Sequence, residues 1–316
     1  MGFFSRKKKT KELMAISLSH DGIYSASLSL GHGSLPSLEF VSFYPKANKS
    51  WAEMLDRLTK ESPAKNYQCS LLLSPEEYQL FSLESLNVPA DELKSAIRWR
   101  LKDMLDYHVD DATVDILAVP GDKNAGGRSN SLFAVAARNK LIAERQALFL
   151  NAKISLSIID IPDMAQRNIS SLMEPEGRGL AMLSFDESGG LLTVTFEREL
   201  YLSRKLDIRL SQLRVDDAEK TAAIFERITL ELQRSLDNFD RQHNFITTAK
   251  LVLAPMGEVA TQLQTYLAAN MYMPVEVLNL ESLIDVSKTP ELKQAERQQV
   301  YFMAIGAALR NEEAEL

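Results

Sequence analysis

The chain has 316 residues, too long for one ordinary core and suited to two or three packed lobes. Apolar residues make up 45% and charged residues 25%, as in soluble globular proteins, and the net charge of −7 gives no global field for nucleic acid. One cysteine excludes a disulfide framework and fits a reducing compartment, and no apolar run approaches the length that crosses a bilayer.

Residues 1–11 read as a flexible tail. Phe3 and Phe4 precede the cations Arg6, Lys7, Lys8 and Lys9. Such a cluster could meet anionic lipid, each cation contributing about 1 kcal/mol near the surface. Termini of this kind are more commonly solvated and frayed. Gly2 invites acylation, but Arg6 stands where that pattern wants Ser or Thr. The cations lead into an amphipathic strand without a small-residue cleavage site, so a signal peptide is not expected.

Met14 to Leu30 reads as two strands around the turn His20-Asp21-Gly22. Leu38 to Tyr44 is a third strand, Trp51 to Glu61 a helix and Gln68 to Ser74 a fourth strand. Cys69 lies in that last apolar run and should be buried and inert. Three meandering strands, a helix and a strand define a mixed-sheet α/β lobe.

A strand-like run, Gln79 to Val88, introduces the most distinctive stretch, Val88 to Asp115. Pro89 sets φ where a helix would start, and Asp91 and Glu92 suit its positive dipole end. Leu93, Ile97, Leu101 and Met104 share one helical face. Trp99 lies roughly 160° from that stripe. Exposed, it would anchor an interface; its size favours burial between two apolar surfaces instead. Asp110, Asp111 and Asp115 read as a solvated turn leading to the strand Thr113 to Val119.

Gly121 to Ser131 is a glycine-rich polar loop without the ordered spacing of a phosphate-binding loop. Leu132 to Ala137, Asn139 to Ala152, Ser155 to Asp160 and Pro162 to Leu172 alternate as strand, helix, strand, helix. The segment EPEGRG, residues 174–179, marks a domain boundary. Beyond it the opening pattern returns. Leu180 to Phe185, Leu191 to Glu197 and Glu199 to Leu206 form a second meander. A long helix, 216–243, carries Phe225, Ile228, Leu232 and Phe239 on one face. Strands Lys250 to Ala254 and Val275 to Leu278 flank a helix, Val259 to Asn270. The closing helix, Arg297 to Leu309, is rich in alanine. Two halves of this kind imply a duplicated architecture with a cleft between lobes.

The residues offer little ordinary chemistry. His20, His32, His108 and His243 are scattered without ligand spacing. No serine or cysteine sits in a nucleophile elbow. No catalytic residue and no metal ligand is assigned.

The segment VPADELKSAIRWRLKDMLDYHVDDATVDI resembles the inserted subdomain of the PilM family, the actin-like cytoplasmic proteins of type IV pilus assembly. MGFFSRKKK, IDIPDMAQRN and ELQRSLDNFDRQHN are similar to that family too. Among its branches the likeness is greatest to the one serving mannose-sensitive haemagglutinin (MSHA) pili. The resemblance implies an α/β fold that is actin-like (ribonuclease H-like), duplicated and two-lobed. The first lobe would span 12–174, with a small α+β subdomain inserted at about 88–137. The second would span 175–316, with the C-terminal helix 297–309 packing back on the first.

The family also implies a nucleotide cleft, and here the chain departs from it. Its members open with a strand ending in Asp-hydrophobic-Gly, where Asp orients hydrated Mg²⁺ and Gly admits a phosphate. This chain has Ser17 at the Asp position, Ser19 at the Gly position and Tyr24 where Lys is usual. In the second lobe Ser184 and Asp186 take the Asp and Gly positions. The adenosine-side loop, normally Gly-Gly, reads Ala254-Pro255-Met256-Gly257. Serine brings no charge for Mg²⁺, Asp186 would repel a polyphosphate, and Pro255 removes an N–H donor. No cofactor is therefore expected, with ATP and Mg²⁺ as the alternative.

By resemblance the chain is a non-enzymatic scaffold. It would grip the cytoplasmic tail of a PilN/MshJ-like inner-membrane protein in a groove between the first lobe and the inserted subdomain. Arg98, Trp99 and Lys102 are the candidate contacts, and the assembly motor ATPase is a further candidate partner. The expected location is cytoplasmic, at the inner membrane of a Gram-negative bacterium. The alternatives are a nucleotide-dependent switch or slow ATPase, and a type II secretion platform protein. The latter family continues into a membrane span, whereas this sequence ends at Leu316 without one.

Overall fold

The computed structural model describes residues 13–29, 35–62, 64–122 and 131–310. The candidate lipid contacts Arg6 to Lys9 lie outside them, as does residues 123–130 of the glycine-rich loop.

The first lobe opens with β1 (Leu13–Ser19), β2 (Gly22–Ser29) and β3 (Ser37–Pro45), an antiparallel meander. Helix α1 (Trp51–Glu61) follows, started by a capping box between Ser50 and Glu53. β4 (Gln68–Leu72) then returns parallel to β1. Cys69 on β4 is fully buried.

At this point a second sheet is spliced in. β5 (Tyr78–Glu84) leads to α2 (Ala90–Leu101), β6 (Ala112–Val119) and β7 (Ser131–Arg138), with strand order β5-β7-β6. The inserted sheet thus begins at Tyr78, earlier than the Val88 expected from sequence. β5 pairs along β7 from Tyr78 to Glu84, a non-local match that residue pattern does not reveal. α2 buries Ile97 and Leu101 on this sheet. It stops at Leu101, so Met104 falls in the following turns and is exposed rather than on the apolar stripe.

α3 (Asn139–Asn151) re-enters the first lobe and β8 (Leu156–Asp160) adds parallel to β4. The finished sheet has the order β3-β2-β1-β4-β8. α4 (Pro162–Ser170) closes this half, with Pro at its first position.

The second lobe repeats the plan. β9 (Gly179–Asp186), β10 (Gly189–Phe196) and β11 (Glu199–Leu206) form the meander. A short α5 (Leu210–Leu213) precedes the long α6 (Ala218–Gln242), which Asp217 caps. β12 (Thr248–Leu253), α7 (Glu258–Asn270) and β13 (Val275–Val277) complete a sheet ordered β11-β10-β9-β12-β13. The two five-stranded sheets share one topology, which fixes the fold as duplicated, α/β and actin-like. α6 buries Phe225, Ile228, Leu232 and Phe239 in the core of this lobe.

The lobes exchange helices. α4, from the first half, packs on β9, β10 and β11. α8 (Ala295–Ala308), from the second half, packs on β1, β2 and β4. The two cross at Gly306 and Ala165. The chain boundary at residues 174–179 therefore does not coincide with the packing boundary between lobes. A further splice lies at the edge strand β3. Leu38 N–H donates to Asp285 O (2.9 Å), Asp285 N–H to Pro36 O (2.8 Å), and Lys288 pairs with Glu39 (2.6 Å).

Candidate functional site

The duplicated topology sets the two β-hairpins β1–β2 and β9–β10 in equivalent positions. Ser17 and Ser184 hold the same place on β1 and β9; Ser19 pairs with Gly22 as Asp186 pairs with Gly189. Each side chain present must be asked whether it leaves room and donors for a nucleotide.

In the second lobe the place is taken. Ser184 is buried, and its hydroxyl bonds Gln166 Oε1 at 2.5 Å. Gln166 is fully buried on α4 and donates through Nε2 to Met182 O (3.0 Å), Leu191 O (3.2 Å) and Thr193 Oγ1 (2.9 Å). An amide thus fills the space under the hairpin. Asp186 Oδ1 accepts from the N–H groups of Ser188 (2.7 Å) and Gly189 (3.1 Å). Those are the turn donors a phosphate would need. Burial raises the Asp186 pKa, and the two backbone N–H bonds oppose that shift.

In the first lobe Tyr24 is committed as well. Its hydroxyl donates to Asp21 (2.6 Å), and its ring stacks on Phe43 (4.6 Å between centroids) and meets Tyr301 of α8 edge-on. Burial, with Asp21 beside it, pushes its pKa up.

Between the lobes a narrow pocket is lined by Tyr78, Pro162, Ser184, Asp186, Lys205 and Met303, among others. Ser17, Ser19, Tyr24, Pro255 and Gly257 do not line it. Of the seven positions singled out in sequence, this pocket gathers Ser184 and Asp186. Contacts between the inserted sheet, α4 and β11 border the pocket. Tyr78 of the inserted sheet donates its hydroxyl to Asp163, which is fully buried on α4 and also accepts from Ser203 of β11. Lys205 of β11 donates to Pro75 O (2.7 Å) and lies 4.2 Å from the centre of the Tyr78 ring. Burial lowers the Lys205 pKa, and burial beside Asp163 raises that of Tyr78. Gln166, Asp163, Tyr78 and Lys205 were not legible as site residues. The only signal of Gln166 and Asp163 is a helix with polar side chains on all faces, and Tyr78 and Lys205, on β5 and β11, leave none.

Gly257 has φ +66° at the start of α7, a conformation that favours glycine, so its identity follows from backbone. A groove beside it lies between the α5–α6 turn, α7 and α8. Its lining sets the carboxylates of Asp216, Glu258 and Glu296 against the single cation Arg214. Arg214 is itself engaged with Gln299 (2.5 Å). Pro255 is buried and adds no donor.

A second surface lies on the inserted subdomain. Arg98, Trp99 and Lys102 are brought together there with His108, Val109 and Asp110 around one groove. Trp99 is 73% exposed, so it is not the core residue its size suggested. α2 is covered by the sheet on one face only, and Trp99 stands on the other. Arg98 serves the fold: its guanidinium donates to Ala112 O and Val109 O, both at 2.8 Å. Lys102 Nζ lies 5.5 Å from the indole centre.

These features define the class: an actin-like two-lobed protein with a small sheet-and-helix insertion in its first lobe. No family model and no curated protein matches the sequence. Among solved structures the chain is similar to one described as the PilM-PilN type IV pilus biogenesis complex. That match has a TM-score of 0.73 at 17% identity and covers 95% of this chain and 98% of that one. It is also similar to a Bacteroides thetaiotaomicron protein of actin-like ATPase fold and unknown function, with a TM-score of 0.51 at 12% identity over 92% and 99% of the two chains. The chain therefore has a PilM-like actin fold. Among the described residues no helix is long and apolar enough to cross a membrane.

Proposed function

We propose that this chain is a cytoplasmic scaffold of the inner-membrane platform that assembles a type IV pilus, of the MshI kind that serves MSHA pili. It holds the cytoplasmic tail of a PilN/MshJ-like membrane protein on its inserted subdomain and so links the envelope complex to the assembly motor ATPase. The observation that carries this reading is the exposed Trp99 groove, together with a second-lobe hairpin in which Ser184 is bonded to Gln166 and Asp186 to the N–H groups of Ser188 and Gly189. Large exposed aromatics at a groove are the usual anchors of binding surfaces. The likeness to the PilM-PilN complex supports the choice of partner.

On this reading the protein is not an enzyme and works without ATP or Mg²⁺. The test is capture of a synthetic partner tail by the full chain; no binding at high micromolar concentration sinks it. The nucleotide-dependent switch has one observation in its favour, the groove beside Gly257. A thermal shift with Mg-ATP separates the two. Ligand at 100 times its dissociation constant stabilises by about 2.7 kcal/mol, and the scaffold reading expects no such shift.

A further inference from the structure

The five-stranded sheet of the first lobe ends at β8, and among the described residues no strand pairs with its outer edge. A groove between that edge and α3 is lined by Gln146, Leu150, Ile154, Leu156 and Ile158, among others. Leu150 is 75% exposed at its rim, and Leu156, Ile158 and Ile159 are half-buried. An open edge beside apolar side chains can take one more strand, whose backbone pairs while its side chains fill the groove.

The chain's own first residues, outside the described ones, are placed to reach it. β1 runs parallel to β4, and β4 parallel to β8, with Leu13 against Gln68 and Cys69 against Leu156. The starts of β1 and β8 therefore lie at the same end of the sheet. A strand outside β8 would stand three spacings from β1, about 14 Å. Residues 8–12, extended, span about 16 Å and bridge that gap. Residues 3–7 are then left to run antiparallel along the five residues of β8. They are Phe3, Phe4, Ser5, Arg6 and Lys7. Successive side chains of a strand point to opposite faces, so either register sets one phenylalanine on the α3 side.

We propose that residues 3–7 of this chain add to the free edge of β8 as an antiparallel strand, with Phe3 or Phe4 seated against Leu150, Ile154 and Leu156. The tether raises the segment's effective concentration to the millimolar range, an advantage that the same edge of a second copy lacks. Charge does not hold it. Lys65 and Lys153 stand exposed just before β4 and β8, at the end of the sheet that Lys8, Lys9 and Lys11 cross. Salt screens that repulsion over about 8–10 Å, so docking tightens as salt rises. The inference is independent of the scaffold reading, because both surfaces belong to this chain.

Ser5→Cys with Gln146→Cys keeps both phenylalanines and Leu150, and the native Cys69 is fully buried. A short bismaleimide should join positions 5 and 146 within one chain about tenfold faster than it joins Ser5→Cys to Tyr272→Cys, an exposed site in the second lobe. Adding Phe3→Ser and Phe4→Ser should abolish that preference, and raising salt should increase it. In the chain without introduced cysteines, the amides of residues 157–159 should exchange about tenfold more slowly than in the Phe3→Ser/Phe4→Ser variant. Equal cross-linking at the two sites, or a preference that survives loss of both rings, overturns the inference. Products joined only between chains give the edge to a second copy and overturn it too. A preference that fades as salt rises assigns the segment to an acidic surface instead and also overturns it.

Discussion

A Cβ atom built on Gly306 would lie 2.3 Å from the carbonyl oxygen of Ala165. The helices the lobes exchange therefore meet backbone to backbone, and Asn168 Nδ2 donates to Gly306 O at 2.9 Å to fix their register. Gly306→Ala should force the crossing apart. The obstacle is backbone, so no side chain can swing aside. Overpacking of this kind costs about 1–3 kcal/mol. Urea unfolding of Gly306→Ala should show a lower midpoint of that order; an unchanged midpoint would mean the helices do not cross this tightly in solution.

Gln166 bridges the crossing helix to both strands of the second hairpin and to Ser184. Gln166→Leu keeps the volume and removes every polar atom. It leaves Ser184, Thr193 and two carbonyls without this partner. Each buried group so orphaned costs about 1–3 kcal/mol. The variant should lose about 3 kcal/mol or more, whereas Ser184→Ala, which orphans one oxygen, should lose about 1 kcal/mol. Equal losses for the two would refute the central place given to the amide.

Asp186 titrates in an unusual direction for a carboxylate that accepts two N–H bonds. Its side chain reaches solvent, yet the packed surroundings of the hairpin outweigh the two N–H bonds and raise its folded pKa above the ordinary 3.8. The folded state then holds the proton more tightly than the unfolded chain. Stability is lost as pH rises from about 3.8 through the folded value, and the loss persists above it. Asp186→Asn keeps an acceptor for Ser188 and Gly189 and abolishes the titration. The variant should equal the parent well below pH 3.8 and exceed it at neutral pH. A variant less stable at neutral pH would contradict this.

His243 ends α6 among the rings of Tyr201, Phe239 and Phe245. Burial lowers its pKa below the ordinary 6.5. The unfolded chain therefore binds the proton first. This residue's contribution to stability is complete above about pH 6.5 and is lost as pH falls through the folded value. His243→Gln should flatten the stability profile in that acid window and leave other windows unchanged. Chemical denaturation at pH 7.5 and pH 5.5 is the measurement; parallel profiles for both proteins would refute it.

Much of the architecture is legible because local rules and tertiary packing agree. The hairpin at Asp21-Gly22 and the apolar stripe of α6 each follow from short-range chemistry. Trp99 resisted because helical period gives a direction but not what lies there. Met104 resisted because the helix ends at Leu101, where turns replace it. Gln166 and Asp163 resisted because their partners lie in the other half of the chain.

The sequence by itself determined the element order and the repeated meander. These rest on residue type and short-range period, which one strand or helix carries alone. Only the tertiary structure decided that α4 and α8 change lobes, that Tyr78, Asp163 and Ser203 tie the cleft, and that Trp99 faces solvent. Each of these depends on which surfaces meet after the chain has closed on itself, and contacts between residues distant in sequence leave no local mark.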